Sequence, residues 1–202
     1  MLDKNYNDNE IEIQREPLKF NIAAKETFNW LGKEYGFRCI VQKSTFVRFE
    51  NEDLFINIYH GRMSYEINLE FGRKSDAGQI FHIDNLLQLY KPGDGDYFYY
   101  AATNQESVVE GLKKLSELFK NLGASILGGD YSLFDKLRKN SDKLVDERIL
   151  NQKIKLSKLK AEEAFKKKDY VTAVKFYKEA FNFLSDLELK KLKYAQNKLS
   201  KT

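Results

Sequence analysis

The residues best suited to catalysis or metal binding are few in this sequence: one cysteine, Cys39, and two histidines, His60 and His82. Neither histidine has a second histidine or a cysteine at the short spacing that zinc ligands need, so we predict no metal site. Cys39 lies in a run of strand-forming residues, which predicts a small buried hydrophobe; a reactive thiol is the alternative. A nucleophilic Cys–His pair would need the half-exposed, electropositive setting that an interior strand lacks.

Acidic and glycine-rich segments offer no catalytic arrangement either. Glu66 and Glu70 are expected about 13 Å apart on one strand face, which is too far for a general acid and base pair. Asp94 and Asp96 are similar to part of a calcium loop, but the other oxygen ligands are missing at the required offsets. Residues 128–130 (G-G-D) lack the lysine and hydroxyl residue of a phosphate loop. We therefore predict a non-catalytic protein without a cofactor; an enzyme is the alternative.

The composition indicates a soluble globular protein. Of its 202 residues, 42% are hydrophobic and 14% are aromatic, which is enough to build a core. The apolar runs are far shorter than the roughly 20 residues that span a bilayer, and the N-terminus lacks the basic and apolar parts of a signal peptide. A single cysteine cannot form an internal disulfide. We therefore predict a cytoplasmic protein with no membrane partner.

Charge is divided unevenly along the chain. Residues 1–140 carry 18 Lys and Arg against 21 Asp and Glu, whereas residues 141–202 carry 16 against 9. The sequence pI of about 8.9 therefore comes from the C-terminal segment. From Ser141 the sequence also changes to Lys, Leu, Ala and Glu, without glycine or proline. We predict two domains, an α+β domain at 1–140 and a helical arm at 141–202.

The central element of the first domain is predicted at Met63–Phe71 (M-S-Y-E-I-N-L-E-F), where apolar and polar residues alternate as in a half-buried strand. Three preceding segments are rich in aromatic and β-branched residues, and residues 51–53 and 60–62 are turn-like, with Gly61 free to take a positive φ. The predicted fold is α+β: an antiparallel meander of three to five strands packed by helices. Its inner face would carry Met63, Tyr65, Ile67, Leu69 and Phe71, and its polar face Arg48, Glu50, Asn57, Glu66, Asn68 and Glu70.

Amphipathic helices are predicted before and after the sheet. Residues 17–35 repeat apolar positions at helical spacing, and Gly36 is suited to a left-handed stop. Thr103 and Glu106 form a capping box that opens a second helix. Asp84 is placed to cap a short helix that follows it.

The segment 91–100 (K-P-G-D-G-D-Y-F-Y-Y) is the most unusual in the chain. Its ordinary interpretation is a turn followed by a short aromatic strand, and the alternative is an exposed acidic and aromatic loop that grips a partner. Together with the polar sheet face it supplies the candidate partner-binding residues; a solvated face without a partner is the alternative. The candidates are Glu66, Asn68, Glu70, Asp94, Asp96, Tyr97 and Tyr99.

The arm is predicted to contain a long helix at 142–167, a break at 168–170, a second helix, and a last helix opened by a capping box at Ser185–Glu188. The segment from Ala161 (A-E-E-A-F-K-K-K-D-Y-V-T-A-V-K-F-Y-K-E-A) resembles a tetratricopeptide repeat and is also similar to the three-helix microtubule-interacting-and-transport domain. One copy is present, and the repeat's usual tryptophan and late proline are absent. The resemblance implies a helical hairpin capped by a third helix. The matching positions are Ala161, Ala164, Tyr170, Ala173, Tyr177 and Ala180.

Five segments of the chain resemble bacterial immunity proteins, the partners that neutralise polymorphic toxins. They are V-R-F-E-N-E-D-L-F-I-N-I, Y-E-I-N-L-E-F-G-R-K, A-T-N-Q-E-S-V, G-G-D-Y-S-L-F-D-K-L and D-Y-V-T-A-V-K-F-Y. The resemblance implies a cytoplasmic inhibitor that binds a cognate toxin domain. Because the first domain is acidic, we expect that toxin domain to be basic.

The alternative function is a nucleic-acid or other partner-binding adaptor that uses the basic arm. Lysines spread around a helix are typical of a solvated surface, and the arm has little arginine, so nucleic acid is the less favoured partner. The candidate residues are Lys166, Lys167, Lys168, Lys190, Lys191 and Lys193.

Overall fold

The structure is a computed structural model that describes residues 8–76, 78–91 and 97–200. It confirms the α+β fold, with a five-stranded antiparallel sheet. The chain divides into two compact units between Lys139 and Asn140. The first unit holds the sheet, and the second is helical. Along the described part of the chain, no helix combines the length and the apolar character needed to cross a membrane.

The sheet is a meander in which each strand pairs with its neighbour in sequence. The strands are β1 (Arg38–Lys43), β2 (Phe46–Glu50), β3 (Leu54–His60), β4 (Ile67–Arg73) and β5 (Phe81–His82). Every pair is antiparallel. The predicted turn at residues 51–53 joins β2 to β3, because the Asn51 side chain accepts from the amides of Asp53 and Leu54 at 3.1 and 2.8 Å.

Helices account for most of the remaining chain. They are α1 (Asp8–Arg15), α2 (Phe20–Thr27), α3 (Trp30–Tyr35), α4 (Ile83–Tyr90), α5 (Gln105–Leu122), α6 (Ala124–Leu127), α7 (Ser132–Lys166), α8 (Tyr170–Glu179) and α9 (Asp186–Leu199). Short 3-10 helices occur at Glu16–Leu18, Lys74–Asp76 and Phe181–Phe183.

One face of the sheet forms the core of the first unit. Alternate residues of β2, β3 and β4 point to this face because the strand repeat is two residues. Helices α2 and α5 pack on it, and the ring centroid of Phe71 lies 5.5 Å from that of Phe119 in α5. The strand residues in this core are Val47, Phe49, Leu54, Ile56, Ile58, Ile67, Leu69, Phe71 and Phe81.

The predicted helix over residues 17–35 is in fact two helices, α2 and α3. At the break the amide of Asn29 donates to the carbonyl of Glu26, three residues back, at 3.3 Å. The break follows a threonine and contains an asparagine, and both residue types are poor helix formers. After the break, the indole N–H of Trp30 donates to the hydroxyl of Ser116 in α5 at 2.8 Å. The break between α2 and α3 is therefore followed at once by a hydrogen bond to α5, a helix far away in the sequence.

The strand predicted from Met63 begins only at Ile67, so the first part of that prediction is wrong. Met63 is 74% exposed, and Tyr65 has a φ of 58°, in the left-handed region. The Arg15 guanidinium of α1 lies 3.3 Å from the centroid of the Tyr65 ring. This cation–π contact from a distant segment helps to hold the tyrosine in a loop of residues 61–66 instead of the strand.

The two glycines predicted to take a positive φ behave differently. Gly36 ends α3 with a φ of 71°, as predicted. Gly61 does not have a positive φ, and Tyr65 takes that conformation in its place. Gly61 is constrained by space, because a Cβ atom there would collide with the hydroxyl of Ser64. Its amide donates to the carbonyl of Glu66 at 2.7 Å and closes the loop.

Two helix starts differ from the prediction by one or two residues. Asn104, and not Thr103, caps α5: its side chain accepts from the amide of Ser107 at 2.9 Å, and the Ser107 hydroxyl accepts from the Asn104 amide at 3.2 Å. Helix α4 begins at Ile83, so Asp84 lies in its first turn and does not cap it. More than one polar residue near each start could serve as the cap.

Helix α7 runs without interruption through the point where the composition changes. The predicted start near Asp142 is wrong, because the helix begins at Ser132 and its 35 residues include no glycine or proline that would stop it. The Ser132 amide and hydroxyl donate to Asp130 Oδ1 at 3.1 and 2.7 Å, which supports the first turn.

The second unit packs a buried tyrosine among small residues. The Tyr177 hydroxyl donates to Glu162 Oε2 at 3.0 Å, and Lys191 Nζ donates to both Glu162 oxygens at 2.6 and 2.7 Å. The predicted capping box of Ser185 and Glu188 is confirmed at the start of α9. The resemblance to a tetratricopeptide repeat stays a prediction. The buried residues are Ala161, Ala164, Ala173, Tyr177, Ala180, Leu192 and Ala195.

Acidification is expected to destabilise the second unit through Glu162. Its pKa lies below its ordinary value of 4.5, chiefly because of the hydrogen bond from Lys191. The unfolded chain therefore takes up the proton first as the pH falls. The stabilisation is present above the unfolded pKa and is lost as the pH falls through the folded pKa.

Glu162→Gln is expected to cost about 1 kcal/mol at neutral pH and to remove this residue's share of the pH dependence. Thermal unfolding followed by circular dichroism at pH 7 and pH 3 should show a smaller change in Tm for this variant than for the natural chain. Glu163→Gln, at an exposed position on the same helix, is the control. If the change in Tm between pH 7 and pH 3 is the same for both variants, Glu162 does not contribute to the pH dependence of stability.

Candidate functional site

The second face of the sheet carries a row of polar side chains that crosses it from β2 to β5. Arg48, Asn57, Glu70 and His82 lie opposite one another in the strand register, so their side chains meet. Asn57 accepts from Arg48 Nη1 at 3.4 Å and donates to Glu70 Oε2 at 3.3 Å. His82 Nδ1 lies 3.8 Å from Glu70 Oε1. We call these four residues the polar row.

Arg48 is paired at its end of the polar row. Its Nε donates to Glu50 Oε1 at 2.7 Å, and Lys74 Nζ lies 3.5 Å from the second Glu50 oxygen. The guanidinium also lies 4.5 Å from the centroid of the Phe55 ring. This end of the row is therefore an ion-pair cluster over an aromatic ring.

The charges of three carboxylates act on Tyr59 at the other end of the row. Burial, followed by the charges of Glu70, Asp84 and Glu66, raises the pKa of Tyr59 to about 12. Burial also raises the pKa of Asp84. We call Glu66, Glu70 and Asp84 the acidic corner. Its negative potential favours the approach of a cationic group.

The segment of residues 97–101 lies beside the acidic corner. Glu66 and Ala101 form an isolated antiparallel bridge, and the Ile67 amide donates to the carbonyl of Tyr100 at 2.9 Å. The aromatic strand expected here is therefore reduced to a single bridge. The bridge joins this segment to the first residues of β4.

Two exposed tyrosines accompany this bridge. Tyr97 and Tyr99 are 62% and 72% exposed. Between them, the amide of Phe98 donates to Asp84 Oδ1 at 2.8 Å, so the backbone of the tyrosine segment is attached directly to the acidic corner. The structure thus brings the predicted residues Glu66, Tyr97 and Tyr99 into one region.

The remaining predicted residues have different outcomes. Asn68 is half-buried and lies opposite Tyr59 of β3, and its side-chain oxygen accepts from the Leu69 amide at 2.8 Å. Asp94 and Asp96 lie outside the described residues.

Three residues of this region were not among the sequence candidates: Tyr59, His82 and Asp84. Tyr59 alternates with Asn57 along β3, so the strand repeat could have placed it on the polar face. His82 and Asp84 follow a loop, and their position beside Glu70 depends on a strand register that the sequence does not reveal.

Tyr59, His82 and Glu70 have the residue types of a proton relay without its geometry. The Tyr59 hydroxyl and Glu70 Oε1 lie 3.5 and 3.8 Å from the same histidine atom, Nδ1. A relay needs one partner at each ring nitrogen. The Tyr59 phenol is protonated near neutral pH, and burial raises its pKa further from that range. The arrangement therefore suits recognition by charge and hydrogen bonding better than proton transfer.

The cysteine and the other histidine pack against the core. Cys39 is half-buried, with Sγ 3.6 Å from the carbonyl of Val41, and burial raises the pKa of its thiol, which disfavours the reactive thiolate. His60 is 1% exposed, stacks on Phe20 and has Nε2 2.7 Å from the carbonyl of Ala102. Burial lowers the His60 pKa. Among residues 8–76, 78–91 and 97–200, no cluster of three or more His, Cys, Asp or Glu is placed to hold a metal.

A cleft of about 260 Å³ lies near the start of the β3–β4 loop, with Lys43, Tyr59 and Arg62 in its walls. The carboxylate of Glu12 at this cleft is already occupied, since it accepts from the amide of Ser44 at 2.7 Å. The cleft is smaller than most small-molecule sites.

Comparison with known proteins finds no matching protein family, no matching curated protein and no matching solved structure.

Proposed function

We propose that this chain is a non-catalytic binding protein whose first unit binds a basic protein through the acidic corner and the tyrosines Tyr97 and Tyr99. We further propose that the partner is a toxin domain, which the chain neutralises in the bacterial cytoplasm. The observation that carries the proposal is that the segment with two exposed tyrosines is hydrogen-bonded to Asp84 and bridged to Glu66, two of the three carboxylates whose charges act on Tyr59.

These two features supply complementary parts of an interface. Exposed tyrosines provide large, rigid contact area and are frequent hot spots in protein complexes. Carboxylates around them attract a basic surface and speed its approach. Arg48 is paired with Glu50 and therefore does not neutralise Glu70.

The role in toxin neutralisation is supported by the resemblance of five segments to immunity proteins. Gene order supplies a direct test. A reading frame directly upstream that encodes a large secreted protein with a variable C-terminal domain would give the partner to use. Co-expression of this chain should then protect cells from that domain. A neighbouring metabolic enzyme, or no protection, would count against the proposal.

Tyr99→Ala combined with Glu66→Gln is expected to weaken binding of that toxin domain at least about tenfold. The reason is the loss of one aromatic contact and one attractive charge. Isothermal titration calorimetry gives the affinity. Stopped-flow association rates should fall with added salt for the natural chain, and less steeply for the variant.

The matched control is Glu117→Gln combined with Tyr194→Ala. Glu117 is exposed on α5 and Tyr194 is 49% exposed on α9, so neither belongs to the proposed site. This control should leave the affinity unchanged. If the two double variants bind equally well, the acidic corner is not the interface.

The adaptor function of the basic arm has weaker support. Lys191, one of its candidate lysines, donates to both oxygens of Glu162 within the second unit. That ion pair stabilises the arm and removes one cation from the surface available to a nucleic acid. Binding of duplex DNA at low salt would favour this alternative.

A further inference from the structure

Helix α7 presents a stripe of exposed aliphatic side chains between residues 145 and 159. Val145, Ile149, Leu156 and Leu159 are 48%, 46%, 51% and 56% exposed. With Gln152 between them, these positions are spaced four, three, four and three residues apart. This is the spacing of the seam of a two-stranded coiled coil. We call these five residues the α7 stripe.

The α7 stripe is separate from the face of α7 that packs within the second unit. Ala161 and Ala164 are buried in the cluster that includes Tyr177 of α8 and Leu192 of α9. At 3.6 residues per turn, these alanines lie roughly 100° or more around the helix axis from the stripe. Large aliphatic side chains exposed in one row are typical of an interaction surface.

Charges along one flank of the α7 stripe change sign from one end to the other. Asp146 lies near its N-terminal end, and Lys153 and Lys160 lie towards its C-terminal end. These three positions are seven residues apart, so they fall on the same side of the stripe. Asp142, seven residues before Ile149, continues the line of the stripe itself and lies just beyond its N-terminal end. This flank is complementary to itself when a second copy runs in the opposite direction.

An antiparallel pair of α7 helices buries the apolar stripe and brings opposite charges of this flank together. With a two-fold axis beside residues 150 and 151, Val145 lies opposite Leu156 of the second copy, and Ile149 lies opposite its Gln152. Asp146 then faces Lys153 of the second copy. Because the axis is two-fold, each of these contacts occurs twice.

A parallel pair would have the opposite electrostatic result. In parallel coiled coils the residues that flank the seam pair across the two helices. Arg148 would then face Lys153 of the second copy, and Lys155 would face its Lys160. In the antiparallel pair, Arg148 and Lys155 come together on the second flank. That repulsive contact occurs twice, against four repulsive contacts in the parallel pair, and the long side chains can extend into water there.

We propose that the α7 stripe is the interface of an antiparallel homodimer. This inference is independent of the proposed partner binding, because it uses residues of the second unit alone. The stripe is about 21 Å long, so the interface is small and the dimer is expected to dissociate with a Kd of about micromolar size.

Sedimentation velocity of the full chain across protein concentrations of about 1–500 µM tests the proposal, because a micromolar dimer forms within this range. We expect a monomer at low and a dimer at high concentration. Ile149→Lys should remain monomeric throughout. Leu187→Lys, at a position that is 62% exposed on α9, is the matched control and should still dimerise. A monomeric natural chain, or equal behaviour of the two variants, would overturn the proposal.

Charge exchange tests the antiparallel orientation. Asp146→Lys should weaken dimerisation at least about tenfold, and adding Lys153→Asp to it should restore dimerisation.

A spin label at Lys160→Cys, in a chain with Cys39→Ser, should give a distance between labels of about 30 Å. A distance of about 10 Å would mean a parallel pair and overturn the assignment. If the natural chain is a monomer and Leu156→Glu weakens its binding of the toxin domain, the stripe contacts that partner and not a second copy.

Discussion

Replacing Phe71 by alanine is expected to lower the free energy of unfolding of the first unit by about 3–5 kcal/mol. Phe71 is 1% exposed, and its ring centroid lies 5.5, 6.0 and 6.1 Å from those of Phe119, Phe134 and Phe81. One of these rings comes from the neighbouring strand β5, and the other two come from helices α5 and α7. Removal of the central ring leaves a cavity that its neighbours cannot fill without giving up their own contacts.

Trp30 makes this prediction measurable in one unit of a two-unit chain. It is the only tryptophan in the sequence, and it packs against the core of the first unit. Its fluorescence in a urea titration therefore reports on that unit. Phe71→Leu should cost less than Phe71→Ala, because it leaves a smaller cavity. Ile80→Ala, at a position that is 48% exposed, is the control. A loss for Phe71→Ala no larger than that for Ile80→Ala would contradict the packing.

The sequence predicted the core position of Phe71 because strand alternation is a local property. Ile67, Leu69 and Phe71 follow the two-residue repeat and are buried on one face, while Asn68 and Glu70 are half-buried on the other. The α+β class and the meander follow from the same repeat together with short turns between strands.

The same alternation was wrong for Met63 and Tyr65 because a contact between distant residues overrides it. Arg15 lies 50 positions before Tyr65, and its buried guanidinium sits over the tyrosine ring. The polar stretch that contains α1 gave no indication of this contact. A sequence repeat describes neighbours along a strand, and it does not detect a side chain supplied by another element.

The candidate site was predicted in part for a related reason. Glu66 and Glu70 followed from the polar face of one strand, and Tyr97 and Tyr99 from an unusual aromatic segment. Their connection through Asp84 depends on how the chain returns from β5, which is a matter of register and loop path. Residue types can therefore nominate the parts of a site, whereas their assembly requires the fold.

The polar row also depends on a residue without a side chain. Gly72 lies opposite Phe55 in the register of β3 and β4. A Cβ atom at Gly72 would lie 2.7 Å from Phe55 Cζ and 2.7 Å from the carbonyl oxygen of Gln79. Glycine therefore lets the Phe55 ring lie flat against the sheet, where the Arg48 guanidinium covers it. The end of the row that pairs Arg48 with Glu50 is built on this contact.

Gly72→Ala is accordingly expected to cost the first unit about 2 kcal/mol, because both the ring and the backbone at Gln79 must move. Urea unfolding followed by Trp30 fluorescence gives the loss. Gly78→Ala is the matched control, since no atom lies within 4 Å of a Cβ placed there and its φ is not positive. Gly78→Ala should change stability by less than about 0.5 kcal/mol. If both variants were equally stable, Phe55 would have room to move, and the close packing beneath Arg48 would not be what fixes this end of the polar row.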